Sequence, residues 1–526
     1  MNIDLKDKTV CLRNGRFTDV ENGRYFDEKV SLIIKNDKIT AIPANAAQEA
    51  IPADYEIDLM GKTVYPGLIN THSHIQQCTP SVIYTLKNIK LEKKHRNAQI
   101  EKRMRDCLAH GVTIVRDCGT FYHRLAENRA LKERIEKGRI PGPKILQAVI
   151  VNIKGNYLSE SLGFFIDMMT RLSGKGLKFS DPESPVVTFG KNAGEDKVRA
   201  AVDTAVDIRQ ADYIKLAEQK YNRLRLDRVV PQMSSDQMAW IVDQARRRGK
   251  MTTFHHIEAD SFRHAIAAGI DSIAHMPFDS LLTEADAERF MASGAFIEPT
   301  LSGIAFPGIW ELRSSDETAD PIVRKILDLK KDKLEQIAET FWVPGLRDEM
   351  LSGIRRIRQG KLKTSLMDAH PFLLKFLKGA GNLVRNTNLL IKAGALSRMS
   401  IANDGGFLLS DADIATELDM INLCMELDGS RLSGSDALRI ASINGARVLG
   451  LGESCGSIEK GKTADLAVID GDPLNDYRCI GQPVSALFRN GRMVINNCGL
   501  QIKARIRLVS RSEKRAEKPV RSESDN

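Results

Sequence analysis

"VYPGLINTHSHIQQC", Val64 to Cys78, is an apolar run that ends in two histidines, His72 and His74, with one residue between them. Histidine is a poor choice for a buried strand end unless something satisfies its nitrogens. In a strand, residues i and i+2 point to the same side. His72 and His74 therefore project together, with Ser73 turned away. Taken alone the pair has two readings, a grip on one metal ion or two satisfied core histidines.

The rest of the chain decides between them. From "GLINTHSH" onward, short β-rich runs alternate with amphipathic helices. The strands read as "GLINTHSH", "VTIVRD", "KILQAVI", "DYIKLA", "MTTFHH", "DSIAH", "AFIEPT" and "MSIAND"; the helices include "EDKVRAAVDTAVDIRQ" and "SDQMAWIVDQARRRG". This order implies parallel βα units, and about eight of them close a TIM barrel, an α/β fold whose active site lies at the C-terminal strand ends. At those ends stand His72 and His74, Lys215 within the fourth strand, His255 and His256, His275, and Asp404. The chain has 10 histidines, and half of them sit at such ends. Imidazole is a common metal ligand and Asp404 adds a hard oxygen, so the cluster points to a metal site.

The two ends of the chain have a different texture. "KTVCLRNGRFTDV", "KVSLIIKNDKITAI" and "EIDLMGKTVYPG" near the start, and "ADLAVIDGDP" and "VSALFRNGRMVINN" near the end, alternate apolar and polar residues around turn signals. The expected organisation is a small composite β-sandwich from 1–65 with 452–502, a barrel over 66–451, and a basic disordered tail over 503–526. Long insertions are expected at about 151–197 and 301–395. The second is helical and rich in Lys, Arg and Leu. It reads as a lid or substrate wall, or equally as an oligomer contact; its basic residues suit a substrate carboxylate or form a solvated helix face.

Composition sets outer limits. The chain has 526 residues, 42% hydrophobic and 28% charged, with a net charge of +9. Its apolar segments are short and interrupted, which excludes a membrane span, and the N-terminus lacks a secretory pattern. The 8 cysteines have neither paired nor metal-finger spacing, so reduced thiols and a cytoplasmic location are expected. Much of the basic excess lies in the tail, so nucleic acid is not the expected partner; a small-molecule substrate and a homo-oligomer are.

These motifs resemble the amidohydrolase superfamily over nearly the whole chain. "PGLINTHSH" is similar to its first-strand metal motif, "LAHGVTIVRDCG" to its second strand, and "EKGKTADLAVIDGDP" to the stretch that returns to the β domain. "ADYIKLA", "HAIAAGIDSIAH" and "SINGARVLGLGESCGSIEKGK" resemble the imidazolonepropionase-like and prolidase-like branch. The resemblance implies a metal-dependent hydrolase that cleaves an amide-like C–N bond with a metal-bridging hydroxide. It implies that His72, His74 and Asp404 hold the more buried metal and that His255 and His275 hold a second. Lys215 would be N-carboxylated by carbon dioxide and bridge both ions, which are two zincs or else manganese, iron or cobalt. Asp404 would shuttle the proton. Asp404, Lys215 and His275 are the catalytic assignments. Without the carbamate, Lys215 is a lysine that snorkels or neutralises a carboxylate.

Three features depart from the resemblance. Glu258 follows His255 by three residues, a spacing similar to that of one-metal deaminases, in which the glutamate moves protons; those generally lack the fourth-strand lysine. Asn403 replaces the usual Gly or Thr before the final aspartate. "AHMP" stands where many relatives have "EHG". A deaminase and a non-catalytic scaffold of the same fold are the rival readings. His256 is expected in the core or behind the ligands, and His95, His110, His123, His264 and His370 in structural or surface positions. Dipeptides, N-acyl amino acids, cyclic amides and ureas all fit the chemistry; esters, lactones and organophosphates share the machinery.

Overall fold

A computed structural model describes residues 7–26, 30–43, 53–79, 86–119, 124–159, 181–222, 228–308, 319–359, 371–406 and 408–504. Lys503 and Ala504, expected in the basic tail, instead pair with Glu56 and Tyr55 in a strand; the rest of the tail from 505 onward, His123 and His370 lie outside the described residues, as do parts of both insertions.

Parallel strands form the centre. In chain order they are β1 (Leu68–Ser73), β2 (Val112–Asp117), β3 (Lys144–Ile153), β4 (Tyr213–Ala217), β5 (Thr252–His255), β6 (Ser272–Ala274) and β7 (Phe296–Glu298), each paired to the next. The eighth position is held by backbone bridges rather than a continuous strand. Met399 bridges Ile297 of β7, and Gly405 bridges Ser73 of β1. These bridges bring the two edges together in a nearly closed barrel. The strands are almost wholly buried, as expected for parallel strands with helices outside.

Helix Ser235–Arg247 shows how the outer layer forms. Ser234 and Gln237 make a reciprocal capping box at its start, and Met238, Ile241, Val242 and Ala245 bury one face against the barrel.

The insertions extend this frame. The first contains an additional strand, Val186–Phe189, which pairs in parallel with the C-terminal half of β3. The sequence alone places these residues in a long connection, because four residues are too few for a periodic signal. The second contains helices Leu301–Gly308, Pro321–Phe341, Pro344–Arg358 and Pro371–Lys392. Asn386 on the last of these donates to the carbonyls of Pro277 and Ser280 and accepts from Leu282 N–H. This insertion therefore fastens the loop that follows β6.

Both chain ends build two mixed sheets. One has the order Ile502–Ala504, Tyr55–Asp58, Thr9–Arg13, Leu32–Lys35, Lys38–Ala41; the other has Arg492–Asn496, Ala486–Arg489, Leu466–Ile469, Thr63–Pro66, Arg16–Asp19, Arg24–Tyr25. Val10, Leu12, Ile34, Val64, Leu466 and Phe488 share one apolar core between them. All 8 cysteines are free thiols. No helix among the described residues is long and apolar enough to cross a membrane.

Candidate metal centre

Closure of the barrel sets the first half of the site. Asp404 N–H donates to His72 O at 3.1 Å and His74 N–H to Gly405 O at 2.7 Å, so the end of β1 and the 403–405 segment run side by side. Asp404 Oδ1 lies 3.0 Å from His74 Nε2 and 3.6 Å from His72 Nε2. One donor atom from each of His72, His74 and Asp404 lies within 4.8 Å of the others. A cluster of that size can surround a single cation at ordinary ligand distances. His74 is further fixed by the Gly119 carbonyl at its Nδ1.

Asp404 has a left-handed backbone, with φ +52°. Its neighbour Asn403 shows what sustains that conformation. The Asn403 amide donates to Ser410 O and Asp413 O, and its oxygen accepts from Gly405 N–H and from Asn70. A glycine or threonine could not make this set of bonds, so the departure at Asn403 has a structural reason.

A chain of imidazoles extends the site across the barrel mouth. The His72 ring lies 5.0 Å from that of His275, which lies 4.6 Å from that of His255. Tyr157, in the loop after β3, stacks on His255 at 3.9 Å. Both nitrogens of His255 and the Nζ of Lys215 are buried with no hydrogen-bond partner among the described residues. The Lys215 charge bears on His72, His255 and His275 alike. Buried polar nitrogens without partners are costly, and a cation would take up the free imidazole lone pair of His255.

The electrostatics differ between the halves. Burial pushes His255 and His275 well below the ordinary imidazole range, helped by their neighbours, so both are neutral and their lone pairs are free. Burial also disfavours a charged His72, but Cys118 and Glu298 outweigh it and bring that imidazole to about 9. Glu298 itself is buried beside Arg116, with which it forms a close ion pair, and its Oε2 lies 3.6 Å from His72 Nδ1. An ion pair thus forms the floor beneath the first half of the site.

A further buried layer fixes the turn after β1. Arg103 donates to the carbonyls of Ile75 and Gln77 and to Asp411, which also accepts from Ser73. Asp117 accepts from Ile75 N–H and from Asn128.

His256, His264 and His110 lie outside the candidate ligand cluster. His256 is buried between Phe254 and Phe262, with Nδ1 against Glu258 O. His264 pairs with Glu218, and His110 packs on Phe341 and bonds Asp106 O. Glu258 is buried at the N-cap of helix Ala259–Ala268 without capping it. Sequence reasoning missed Arg116, Glu298, Thr300, Tyr157 and Glu417. Charged residues inside the strands "VTIVRD" and "AFIEPT" were a usable signal for the first two; the others carry no local signature.

With this geometry in place, likeness to known proteins becomes informative. The family model described as "Amidohydrolase family" matches residues 63–494. A 5-methylthioadenosine/S-adenosylhomocysteine deaminase of Acetivibrio thermocellus is 28% identical over 22% of this chain and 30% of its own length. An imidazolonepropionase of Picrophilus torridus is 41% identical over 13% of this chain and 18% of its own. The matches thus span less than a third of those relatives. A solved Xaa-Pro dipeptidase with bound methionine in its active site superposes with a TM-score of 0.63 at 20% identity, covering 92% of this chain and 99% of that one. At that identity the likeness is one of fold.

Proposed function

The chain belongs to the amidohydrolase family, and from that premise we propose that it is a metal-dependent hydrolase of an amide-like C–N bond in a small molecule. The observation that carries the reading is the convergence of His72, His74 and Asp404 donor atoms within 4.8 Å, continued by the ring contacts to His275 and His255. The donor set fits divalent metal: four imidazoles, neutral at His255 and His275, with a carboxylate and unsatisfied buried nitrogens. His72, His74 and Asp404 would hold one ion, His255 and His275 a second, and Lys215, as its carbamate, would bridge them. Zinc suits these ligands, and when bound it supplies an activated water and polarises a carbonyl.

The chain's own residues supply the rest. Asp404 would accept a proton and return it to a departing amine. The Gly119 carbonyl and Asp404 orient His74 from either side. Tyr157 covers His255 and limits water there. The insertion that fastens the loop after β6 would form part of the substrate wall.

Deaminase relatives favour a second reading, in which one metal suffices and Glu258 moves the proton. Two variants separate the mechanisms. Lys215→Ala is expected to lose nearly all activity while remaining folded, with partial rescue by formate or acetate; Glu258→Gln is expected to retain most of it. Turnover is scored on dipeptide, N-acyl amino acid and aminopurine nucleoside panels. The opposite pattern, a tolerated Lys215→Ala and an inactive Glu258→Gln, establishes the deaminase instead.

A further inference from the structure

We propose that Glu417, acting through the first turn of helix Leu301–Gly308, is a positioning residue that holds Thr300 against His275 and so fixes the imidazole with its proton on Nδ1 and Nε2 free for a metal. The inference rests on the reading of His275 as a ligand.

The contacts form a continuous path. Glu417 lies on helix Ile414–Met425 and is completely buried. Its Oε1 accepts from Leu301 N–H at 2.8 Å; its Oε2 accepts from Ser302 N–H at 2.8 Å and from the Ser302 hydroxyl at 2.5 Å. These are the first amides of the helix after β7, where the aligned peptide dipoles favour an anion. A carboxylate on three donors therefore pins that turn.

Thr300 stands immediately before it. Its backbone is left-handed, at φ +49°, which is strained for a β-branched residue. The strain serves a bond: Thr300 Oγ1 lies 2.6 Å from His275 Nδ1. The Thr300 hydroxyl donates its own proton to Pro299 O at 2.8 Å. With that proton on the Pro299 carbonyl, the Thr300 oxygen accepts from His275 Nδ1–H. The other ring nitrogen then keeps a lone pair. A ligating histidine whose second nitrogen is held in this manner has its tautomer and ring plane set in advance.

The same turn touches the other half of the site. A Cβ built on Gly303 would meet Asp404 Cβ at 2.4 Å and Asn403 O at 2.6 Å. The helix therefore lies directly on the segment that carries Asp404. Glu417 is also tied to the second insertion, because Lys333 on helix Pro321–Phe341 pairs with Asp419 at 2.8 Å, two residues further along. Glu417 thus joins an insertion helix to two candidate ligands without touching either.

The test compares Glu417→Gln, Thr300→Val and Thr300→Ser with the wild-type full-length protein. Nitrogen-15 spectra of histidine-labelled, metal-free protein report the His275 tautomer. Competition with a chelator reports zinc affinity, and cobalt(II) absorption reports ligand geometry. Thr300→Val and Glu417→Gln are expected to lose the single Nδ1–H tautomer, bind zinc about 10- to 100-fold more weakly, and shift the cobalt bands. Thr300→Ser is expected to keep all three wild-type signals, which a purely packing role for the threonine methyl would not give. Folded Glu417→Gln and Thr300→Val proteins with the wild-type tautomer and zinc affinity would overturn the inference. A wild-type protein that binds no metal would overturn the hydrolase reading, and the spectrum of the metal-free protein would then decide the clamp by itself.

Discussion

His275 and Asp404 both hold left-handed backbone conformations, at φ +71° and +52°. Such conformations cost on the order of 1–3 kcal/mol each and persist where surrounding bonds over-determine them. Here the bonds are visible: Thr300 on His275, and the Asn403 side chain beneath Asp404. His72 adds a consequence for pH. Its metal-free imidazole is raised to about 9, so at neutral pH the site holds a proton that a metal must displace. A raised histidine favours the metal-free protein below the ordinary imidazole range, and this contribution fades as pH rises toward 9. Zinc affinity is therefore expected to rise about tenfold per pH unit between neutrality and pH 9, and to flatten above it. Chelator competition across that range measures it, and a flat profile from pH 7 to 9 would contradict the assignment of His72.

Elements rather than single residues bring the candidate ligands together. The barrel strands fall on the runs expected for them, and "VTIVRD" coincides with β2 throughout, whereas β3 runs three residues past "KILQAVI" to Ile153, where an insertion is expected from Val151. "MSIAND" reads as the eighth strand, yet bridges at Met399 and Gly405 and separate backbone bonds to Thr71, His72 and Ile297 hold it in place of a continuous strand. The turn at Asp404 breaks the ladder, and no alternation pattern encodes that. Nor was the Glu417 contact legible, because it joins elements 116 residues apart. The close approach of helix Leu301–Gly308 has a direct test in Gly303→Ala. The added methyl would stand 2.4 Å from Asp404 Cβ, so Asp404 must move. We expect loss of activity by at least about tenfold, since misplacement of about 1 Å at a reacting group costs up to a hundredfold. Unchanged kcat/KM in a folded Gly303→Ala protein would mean that this helix does not set the position of Asp404.

At the scale of the whole molecule, the two ends of the chain share one core. Phe488 is completely buried in it, with Leu466 from the late segment and Val10, Leu12 and Val64 from the early one. Phe488→Ala is expected to cost about 3–5 kcal/mol, read as a lower denaturant midpoint, with metal binding by the remaining folded protein unchanged. A loss below about 1 kcal/mol would show that the late strands contribute little to the joint core. The composite arrangement was legible because both ends carry the same short, alternating segments around Asn-Gly and Asn-Asp turns. The buried Arg116–Glu298 pair was not, because each partner looked like an isolated charge in an apolar strand and they lie 182 residues apart. Residue types at strand ends thus exposed the candidate ligands, while the groups that orient them emerged only with the fold.

The central claim is that His72, His74, Asp404, His255, His275 and Lys215 together hold catalytic metal. Metal content per chain, measured by plasma mass spectrometry on the purified wild-type protein and on His72→Asn, tests it most directly. About two divalent ions are expected in the wild type, as in two-metal hydrolytic sites, and His72→Asn is expected to lose both the ion at the buried position and activity. A wild-type protein free of stoichiometric metal after preparation with zinc, or a His72→Asn protein with full metal content and full activity, would contradict it.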